Sequence, residues 1–382
     1  GTSFAVGATV PIRANVTDNI QVDRVTANIT TPSGSINVIN LTFVSGNTYE
    51  GNFTNTSAFG FYLVSIIAND TSSLINDTEL GNFTIADALA PTVALVFPAN
   101  NTNSTVQYYN FTWITTDNTA NTSCNLTLNG IVNQSGIPTL NNTATNTTVS
   151  GFADGRYNWN VTCYDGSNSN TSETRLFTVD TTAPVLDNRT EEPISSINYS
   201  STQQYNFTIN VTDALNAVDT VRFNFNGTIT SASVFGNRYN ATFGPLAAGT
   251  YYYNWTANDC LGNTNTTATF TYVVNQAAGV LNLTLNGTQS NITVASGSTL
   301  NLTGRLLIGT GTIELFRDGV LINSGTSPLS NLSSFGTVGT FNITLRYNAT
   351  QNFTGSIQTY FVTVAATGIP VVTLNFPANN IY

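Results

Sequence analysis

Short segments of this chain alternate apolar and polar residues, and three of them end in the same Thr-Asp pair. They are VPIRANVTD (10–18), YNFTWITTD (109–117) and YNFTINVTD (205–213). Alternation with a period of two puts successive side chains on opposite faces of a strand, so each segment predicts a strand with one buried face. Turns rich in Gly, Asn and Ser separate such segments, and no stretch has a helical period. The chain is therefore predicted to be all-β.

These segments belong to a long internal repeat. The pattern Gly-x-aromatic recurs at intervals of 95, 94 and 90 residues, at Gly60, Gly155, Gly249 and Gly339. The pentapeptide FPANN stands at 97–101 and again at 376–380, three repeat lengths later. A repeat of this length, made of short strands, predicts a two-sheet Greek-key sandwich. The tyrosine after each of the first three glycines predicts a tyrosine corner, in which the phenol hydroxyl bonds to nearby backbone.

The repeat predicts four modules in an elongated rod, followed by a partial fifth. Their expected bounds are 1–86, 87–180, 181–275 and 276–366, with 367–382 as a linker and a strand. That strand, VVTLNF (371–376), reproduces TVALVF (92–97), the first strand of the second module. An isolated apolar strand cannot satisfy its own backbone groups. It either continues into a fifth module or adds to a sheet of another subunit.

The repeats resemble immunoglobulin-like modules of archaeal and bacterial cell-surface proteins, including large adhesins. The resemblance is carried by VDTTAP (179–184), by VTD at the end of an early strand, and by DGRYNWNVTCYDGS (154–167). It covers nearly the whole chain and is weakest in 276–366. It implies an extracellular, non-catalytic component of a microbial cell surface, and we expect that surface to be archaeal. Such a component would form a stalk, sheath, surface layer or filament. The alternative is an adhesin that binds glycans or a partner cell through exposed loops.

Composition narrows the choice of partners and chemistry. The 382 residues carry a net charge of −10, with no His, and all ten basic residues are arginines. Nucleic-acid binding needs a basic surface, so no nucleic-acid partner is expected. Without His or Lys, the usual catalytic triads, histidine-ligated metals and lysine nucleophiles are excluded. The adjacent pair Glu191 and Glu192 would point apart in an extended chain, so no enzyme is expected. No apolar run reaches the length of a membrane span.

Asn-x-Ser/Thr triplets recur along the chain from Asn15 to Asn352. In a secreted protein they are acceptors for N-linked glycans. We expect glycans on outward strand positions, represented by Asn110, Asn206, Asn254, Asn282 and Asn342. The other reading is that polar strand faces generate such triplets without any sugar, because residues i and i+2 share a face. Beyond glycans, the expected partners are copies of this chain or neighbouring modules of the same surface protein.

Two of the three cysteines lie in the second repeat, at positions where other repeats have a valine and an alanine. Cys124 stands where other repeats have Val25 and Val221, and Cys163 stands where they have Ala68 and Ala257. In an immunoglobulin-like order the two strands are neighbours, so a Cys124–Cys163 disulfide is expected. The alternative is two buried free thiols that pack as small apolar groups. Cys260 has no third partner in this chain and could pair only between chains.

Aspartates recur where strands and linkers are expected to meet. In an immunoglobulin-like sandwich, two strands from facing sheets end at the pole where the linker enters. This places Asp87, Asp117 and Asp165 together in the second module, and Asp180, Asp213 and Asp259 together in the third. Carboxylates and loop carbonyls are the oxygen ligands that Ca²⁺ takes, and the resemblance to surface adhesins implies calcium at module junctions. The alternative is that each aspartate caps its own turn.

Overall fold

The computed structural model describes residues 1–366, 368 and 373. Across these residues it has 36 strands and no helix, so the predicted all-β class is confirmed. No helix in the described part is long and apolar enough to cross a membrane. The chain divides into two compact units, Gly1–Thr181 and Thr182–Tyr382. The predicted strand 371–376 lies outside the described residues, Thr373 apart.

Each unit contains two separate hydrophobic cores, and each core lies between two β-sheets. We call the strands around one core a module and use the bounds that the sequence predicts. These bounds remain a prediction. Within each module, the immunoglobulin-like features are antiparallel ladders plus one short side strand parallel to the last long strand.

Module 1 has seven strands: β1 (Thr2–Ala5), β2 (Val10–Asn15), β3 (Val22–Thr30), β4 (Ile36–Ser45), β5 (Thr48–Phe53), β6 (Gly60–Asp70) and β7 (Ile75–Ala86). Their order is β1-β7-β6-β3-β4-β5-β2, because β4 pairs with β3 in one sheet and with β5 in the other. The side strand β1 runs parallel to β7.

Module 2 has nine strands: β8 (Thr92–Phe97), β9 (Thr102–Ser104), β10 (Tyr108–Thr116), β11 (Asn121–Leu128), β12 (Ile131–Leu140), β13 (Ala144–Ser150), β14 (Gly155–Tyr164), β15 (Ser169–Thr171) and β16 (Arg175–Val179). One sheet is β13-β10-β8, and the other is β12-β11-β14-β16-β9 with β15 paired to β14. We call β8 the opening strand of this module.

Module 3 has ten strands: β17 (Val185–Glu192), β18 (Ile197–Asn198), β19 (Tyr205–Thr212), β20 (Val218–Phe225), β21 (Thr228–Ser231), β22 (Ser233–Phe235), β23 (Arg238–Phe243), β24 (Gly249–Asp259), β25 (Thr264–Thr266) and β26 (Phe270–Asn275). The sheets are β17-β19-β23-β22 and β18-β26-β24-β20-β21, with β25 paired to β24. Its opening strand is β17.

Module 4 has ten strands: β27 (Ala277–Ala278), β28 (Val280–Leu285), β29 (Ile292–Ala295), β30 (Ser298–Ile308), β31 (Thr312–Arg317), β32 (Val320–Thr326), β33 (Leu329–Phe335), β34 (Gly339–Tyr347), β35 (Phe353–Thr354) and β36 (Ser356–Ala365). The sheets are β28-β30-β33 and β29-β36-β34-β31-β32, and β27 pairs with β35. Its opening strand is β28.

The cores follow the alternation seen in the sequence. In β10 the inward residues Tyr109, Phe111 and Trp113 are at most 3% exposed, because every second side chain faces the opposite sheet. The three predicted tyrosine corners are confirmed. Each phenol hydroxyl donates to the carbonyl four residues before it: Tyr62 to Ala58 at 2.8 Å, Tyr157 to Ala153 at 2.9 Å and Tyr251 to Ala247 at 2.8 Å.

Candidate metal centre

Three carboxylates meet at one end of module 2. Asp87 lies in the linker just after β7, Asp117 directly follows β10, and Asp165 directly follows β14. Each offers one carboxylate oxygen, and these oxygens lie within 4.8 Å of one another. The strands β10 and β14 belong to opposite sheets, so their ends bring residues 48 positions apart to the same pole. The structure thus brings this predicted trio together.

Two oxygens of the trio are buried without a hydrogen-bond partner. They are Oδ2 of Asp87 and Oδ1 of Asp117, and the Asp117 side chain belongs to a residue only 7% exposed. A buried polar atom without a partner costs free energy, and a buried anion costs more. Three neighbouring carboxylates also repel one another. A bound cation would contact the two unpartnered oxygens and would offset the repulsion between the carboxylates. The residues present therefore fit a divalent metal ion.

The same aspartates also cap turns, as the alternative reading expects. Asp165 Oδ1 accepts hydrogen bonds from the backbone N–H groups of Ser167 and Asn168, both at 2.6 Å. Asp117 Oδ2 accepts from the Thr119 backbone N–H at 3.1 Å, and Asp87 Oδ1 accepts from the Leu89 N–H at 3.1 Å. In Asp87 and Asp117 the cap uses the oxygen that is not orphaned. Capping and metal binding are therefore compatible at one site.

Two asparagine amides tie the linker to the trio. The side-chain N–H₂ of Asn168 donates to the backbone carbonyl of Asp87 at 3.1 Å, and that of Asn118 donates to Asp87 Oδ1 at 3.0 Å. Burial raises the pKa of Asp165, but the backbone and side-chain donors of Asn168 and Ser167 outweigh it. The net result is a pKa below the ordinary value, so the site favours the charged carboxylate.

The second predicted trio is divided between the two units. Asp213 and Asp259 belong to the second unit and bring carboxylate oxygens within 4.8 Å of each other. Both cap turns: Asp213 Oδ1 accepts from the Asn216 N–H at 2.8 Å, and Asp259 Oδ1 accepts from the Leu261 N–H at 2.8 Å. Asp180 belongs to the first unit, where it is 1% exposed. Its membership in this trio remains a prediction.

The junction between modules 3 and 4 has different chemistry. The described part of the chain has no further cluster of three carboxylates close enough to share a metal ion. Here the rings of Tyr199 and Phe353 meet edge to face, and the Ala248 backbone N–H donates to Asn352 Oδ1 at 2.8 Å. Within module 4, the side chain of its first residue, Gln276, donates to the Thr350 carbonyl at 2.6 Å. Aromatic and amide contacts join these two modules directly.

The structure joins Cys124 and Cys163 in a disulfide, at directly opposed positions of the β11–β14 ladder. The same ladder position holds Val25 opposite Ala68 in module 1 and Val221 opposite Ala257 in module 3. The sequence alignment of these repeats is therefore confirmed. Cys260 is free and exposed.

The five representative glycan acceptors differ in accessibility. Asn110 is exposed, whereas Asn206, Asn254, Asn282 and Asn342 are half-buried on sheet faces. The side-chain oxygens of Asn206 and Asn282 are buried without a hydrogen-bond partner. Asn110 is thus the most open acceptor of the five, and glycosylation of each remains a prediction.

Sequence reasoning missed the amide residues around the carboxylates. Asn168 stands three residues after Asp165, and Asn263 stands four residues after Asp259, with its side chain donating to Asp259 Oδ2 at 2.8 Å. An asparagine at this spacing after the strand-end aspartate was the available signal. No sequence period pointed to Tyr199 and Phe353, because each occurs in only one module.

No family model and no curated protein sequence matches this chain. Similar solved structures are tandem β-sandwich repeats. A Ca²⁺-stabilised adhesin that helps an Antarctic bacterium bind ice is 17% identical, with a TM-score of 0.37, over 94% of this chain and 95% of that chain. A tetra-tandem repeat from the extending region of a large adhesion protein is 17% identical, with a TM-score of 0.41, over 95% and 97%. Domains D1–D4 of ICAM-5 are 12% identical, with a TM-score of 0.42, over 95% and 97%. These figures concern architecture alone.

Proposed function

We propose that this chain is a non-catalytic structural segment of a microbial cell-surface protein, in which Ca²⁺ fixes the linker between modules 1 and 2. Such a segment serves as a spacer in a stalk, sheath, surface layer or filament. One observation carries the proposal: the linker residue Asp87 shares a carboxylate cluster with Asp117 and Asp165 of module 2, and two oxygens of the cluster are buried without a donor.

The choice of Ca²⁺ follows from the donor set. All three side chains are carboxylates, and Ca²⁺ takes six to eight oxygen ligands in flexible geometry. The cluster has no His or Cys, which Zn²⁺ and the softer transition metals prefer. Mg²⁺ retains several waters and requires a stricter octahedron, so three protein carboxylates suit it less well. The remaining ligands would be carbonyl oxygens and water.

The mechanical consequence lies in where the three residues sit. Asp117 and Asp165 are held by the ends of β10 and β14, in the two sheets of one rigid sandwich. Asp87 belongs to the linker, whose backbone is otherwise held there by the Asn168 amide. An ion shared by the three would add strong electrostatic contacts to these hydrogen bonds. It would therefore restrict the motion of the linker relative to module 2.

An extracellular, non-enzymatic role also agrees with the composition. A chain with no His and no Lys has few means of acid–base or nucleophilic catalysis. A disulfide is retained in oxidising compartments outside the cytosol. The Antarctic adhesin is described as Ca²⁺-stabilised.

Isothermal titration of the full chain with Ca²⁺ tests the proposal through Asp117→Asn. Asparagine still caps a turn but loses the negative charge, so the variant separates metal binding from capping. We expect Asp117→Asn to lose one binding site. The control is Asp77→Asn, which makes the same charge change at an exposed residue of β7 outside the cluster. Equal binding by Asp117→Asn and the parent chain would refute the proposed site.

A further inference from the structure

The first module has an unpaired strand edge where the other three modules have an opening strand. In modules 2, 3 and 4 the strands β10, β19 and β30 each pair on both sides, with the opening strands β8, β17 and β28 on one of them. Their counterpart in module 1 is β2. Among the described residues, β2 pairs only with β5, which leaves its second edge without a partner.

An open groove runs beside that edge, between β2 and the strands β6 and β7. Its volume is about 770 Å³. Its lining includes the apolar residues Ala14, Val16, Ile66, Ala68, Leu74 and Leu80, together with polar and charged residues such as Arg13, Asp18 and Glu79. Leu74 is 70% exposed and Leu80 is 67% exposed. These exposed apolar side chains lie beside an unpaired strand edge, where an added strand would cover them.

A core position of module 1 is less buried than the equivalent positions of the other modules, which have an opening strand. Alignment on the Gly-x-aromatic motif places Ile66 with Val161, Trp255 and Leu345, which are all 0% exposed. Ile66 is half-buried. In module 2, part of the cover comes from Val93 and Leu95, the inward residues of β8, which pack against the core.

The same chain contains a segment whose sequence resembles the opening strand β8. Residues 371–376, VVTLNF, follow module 4, which has its own opening strand in β28. They repeat β8, so Val372 and Leu374 take the places of Val93 and Leu95, and FPANN is identical in both. Residues 367–382 carry no charged side chain, so pairing with β2 would bury no charge from this segment.

We propose that the groove of module 1 accepts residues 371–376 of a second copy of this chain as its opening strand. In β8, Leu95 is opposite Trp113 and Val93 is opposite Thr115. By the shared Thr-Asp ending these positions correspond to Ala14 and Val16. The donated strand therefore runs antiparallel to β2, with Leu374 opposite Ala14 and Val372 opposite Val16. Backbone hydrogen bonds supply affinity and the two apolar side chains supply register.

Such a contact is heterologous. Residues 371–376 of one copy enter module 1 of the next, so the same contact can repeat from copy to copy unless a ring closes. The proposal goes beyond the metal-stabilised spacer and does not depend on it, because none of the three carboxylates at the metal centre lines the groove.

Cross-linking between two differently substituted chains tests the register. In a Cys260→Ser background, one chain carries Asn15→Cys and the other Thr373→Cys, positions that correspond to Ile114 and Ala94, which are opposed in module 2. We expect a disulfide-linked heterodimer on non-reducing electrophoresis, with or without Ca²⁺. Adding Leu374→Asp to the donor chain should abolish it, without affecting the fold of the four modules, which end before residue 367.

The matched control replaces Asn15→Cys by Ile114→Cys. That position occupies the same place in β10, but β8 already pairs with it. We expect no heterodimer with this control. A heterodimer yield for Asn15→Cys no greater than that for Ile114→Cys would overturn the proposal. So would persistence of the product with Leu374→Asp, since an apolar strand would then not be what binds.

Discussion

The rings of Tyr199 and Phe353 lie edge to face with their centroids 5.3 Å apart, and they link module 3 to module 4. Phe353 is 9% exposed and belongs to the core of module 4, so Tyr199 extends that core across the junction. The junction before module 2 instead depends on carboxylates and amides. Neighbouring modules of one chain are thus joined by two kinds of chemistry, and we expect them to respond differently to a chelator.

We expect Tyr199→Ala to lower the free energy of unfolding of modules 3 and 4 by at least about 1 kcal/mol, because it removes an aromatic pair worth about that much beyond burial and because Tyr199 also packs against both cores. The loss should be the same with and without EDTA, because no carboxylate group is involved. Urea unfolding in both buffers measures it. Tyr252→Ala, at an exposed tyrosine of β24, serves as the control. A loss that appears only in EDTA would contradict this assignment.

Reduction of the disulfide should destabilise module 2. The bridge closes a loop with a sequence separation of 39, for which the chain-entropy relation gives a stabilisation of about 4 kcal/mol. We expect the double variant Cys124→Val, Cys163→Ala to fold, because that pair occupies the same ladder position in modules 1 and 3. Its stability should be insensitive to dithiothreitol. Equal stability of the parent chain with and without dithiothreitol would refute this role of the bridge.

The cysteine pair and the Val–Ala pairs occupy the same ladder position in modules 1 to 3, which shows why much of the fold could be predicted from the sequence. The Gly-x-aromatic and Thr-Asp motifs fix the phase of each repeat, and phase fixes which residues oppose each other across a ladder. The Asp117–Asp165 proximity followed from where two strands end. The unpartnered carboxylate oxygens could not be predicted from the sequence, because turn geometry determines which oxygen of each aspartate accepts a hydrogen bond. The open edge of β2 also required the structure, because alternation specifies a strand and leaves its neighbours unspecified.

Acid should weaken module 2 through Asp165. The folded pKa of this carboxyl is depressed, chiefly because donors from Asn168 and Ser167 outweigh its burial. Its stabilisation is therefore complete above the unfolded pKa of about 3.9 and is lost as the pH falls through the lower folded value. We expect Asp165→Asn to lose less stability than the parent chain between about pH 4 and pH 2. Thermal unfolding in buffers free of Ca²⁺ measures this, with Asp77→Asn as control. Identical acid profiles would count against it.

Glycan occupancy should follow accessibility. We expect glycopeptide mass spectrometry of material from the native source to find a glycan on Asn110, which is exposed. Occupancy should be lower at Asn206 and Asn282, because their side-chain oxygens are buried on a sheet face. An unmodified Asn110 beside a modified Asn206 would reverse this order and show that accessibility in the folded module does not determine the pattern.

The central claim is that one Ca²⁺ ion binds Asp87, Asp117 and Asp165 together. The most direct measurement is a crystal structure of the chain grown with Ca²⁺. We expect one electron-density peak between the three side chains, with carboxylate oxygens at about 2.3–2.6 Å, the range for Ca²⁺ ligands. Oδ1 of Asp117 should be among the ligands. A structure at saturating Ca²⁺ in which these aspartates cap their turns and hold no ion between them would contradict the claim.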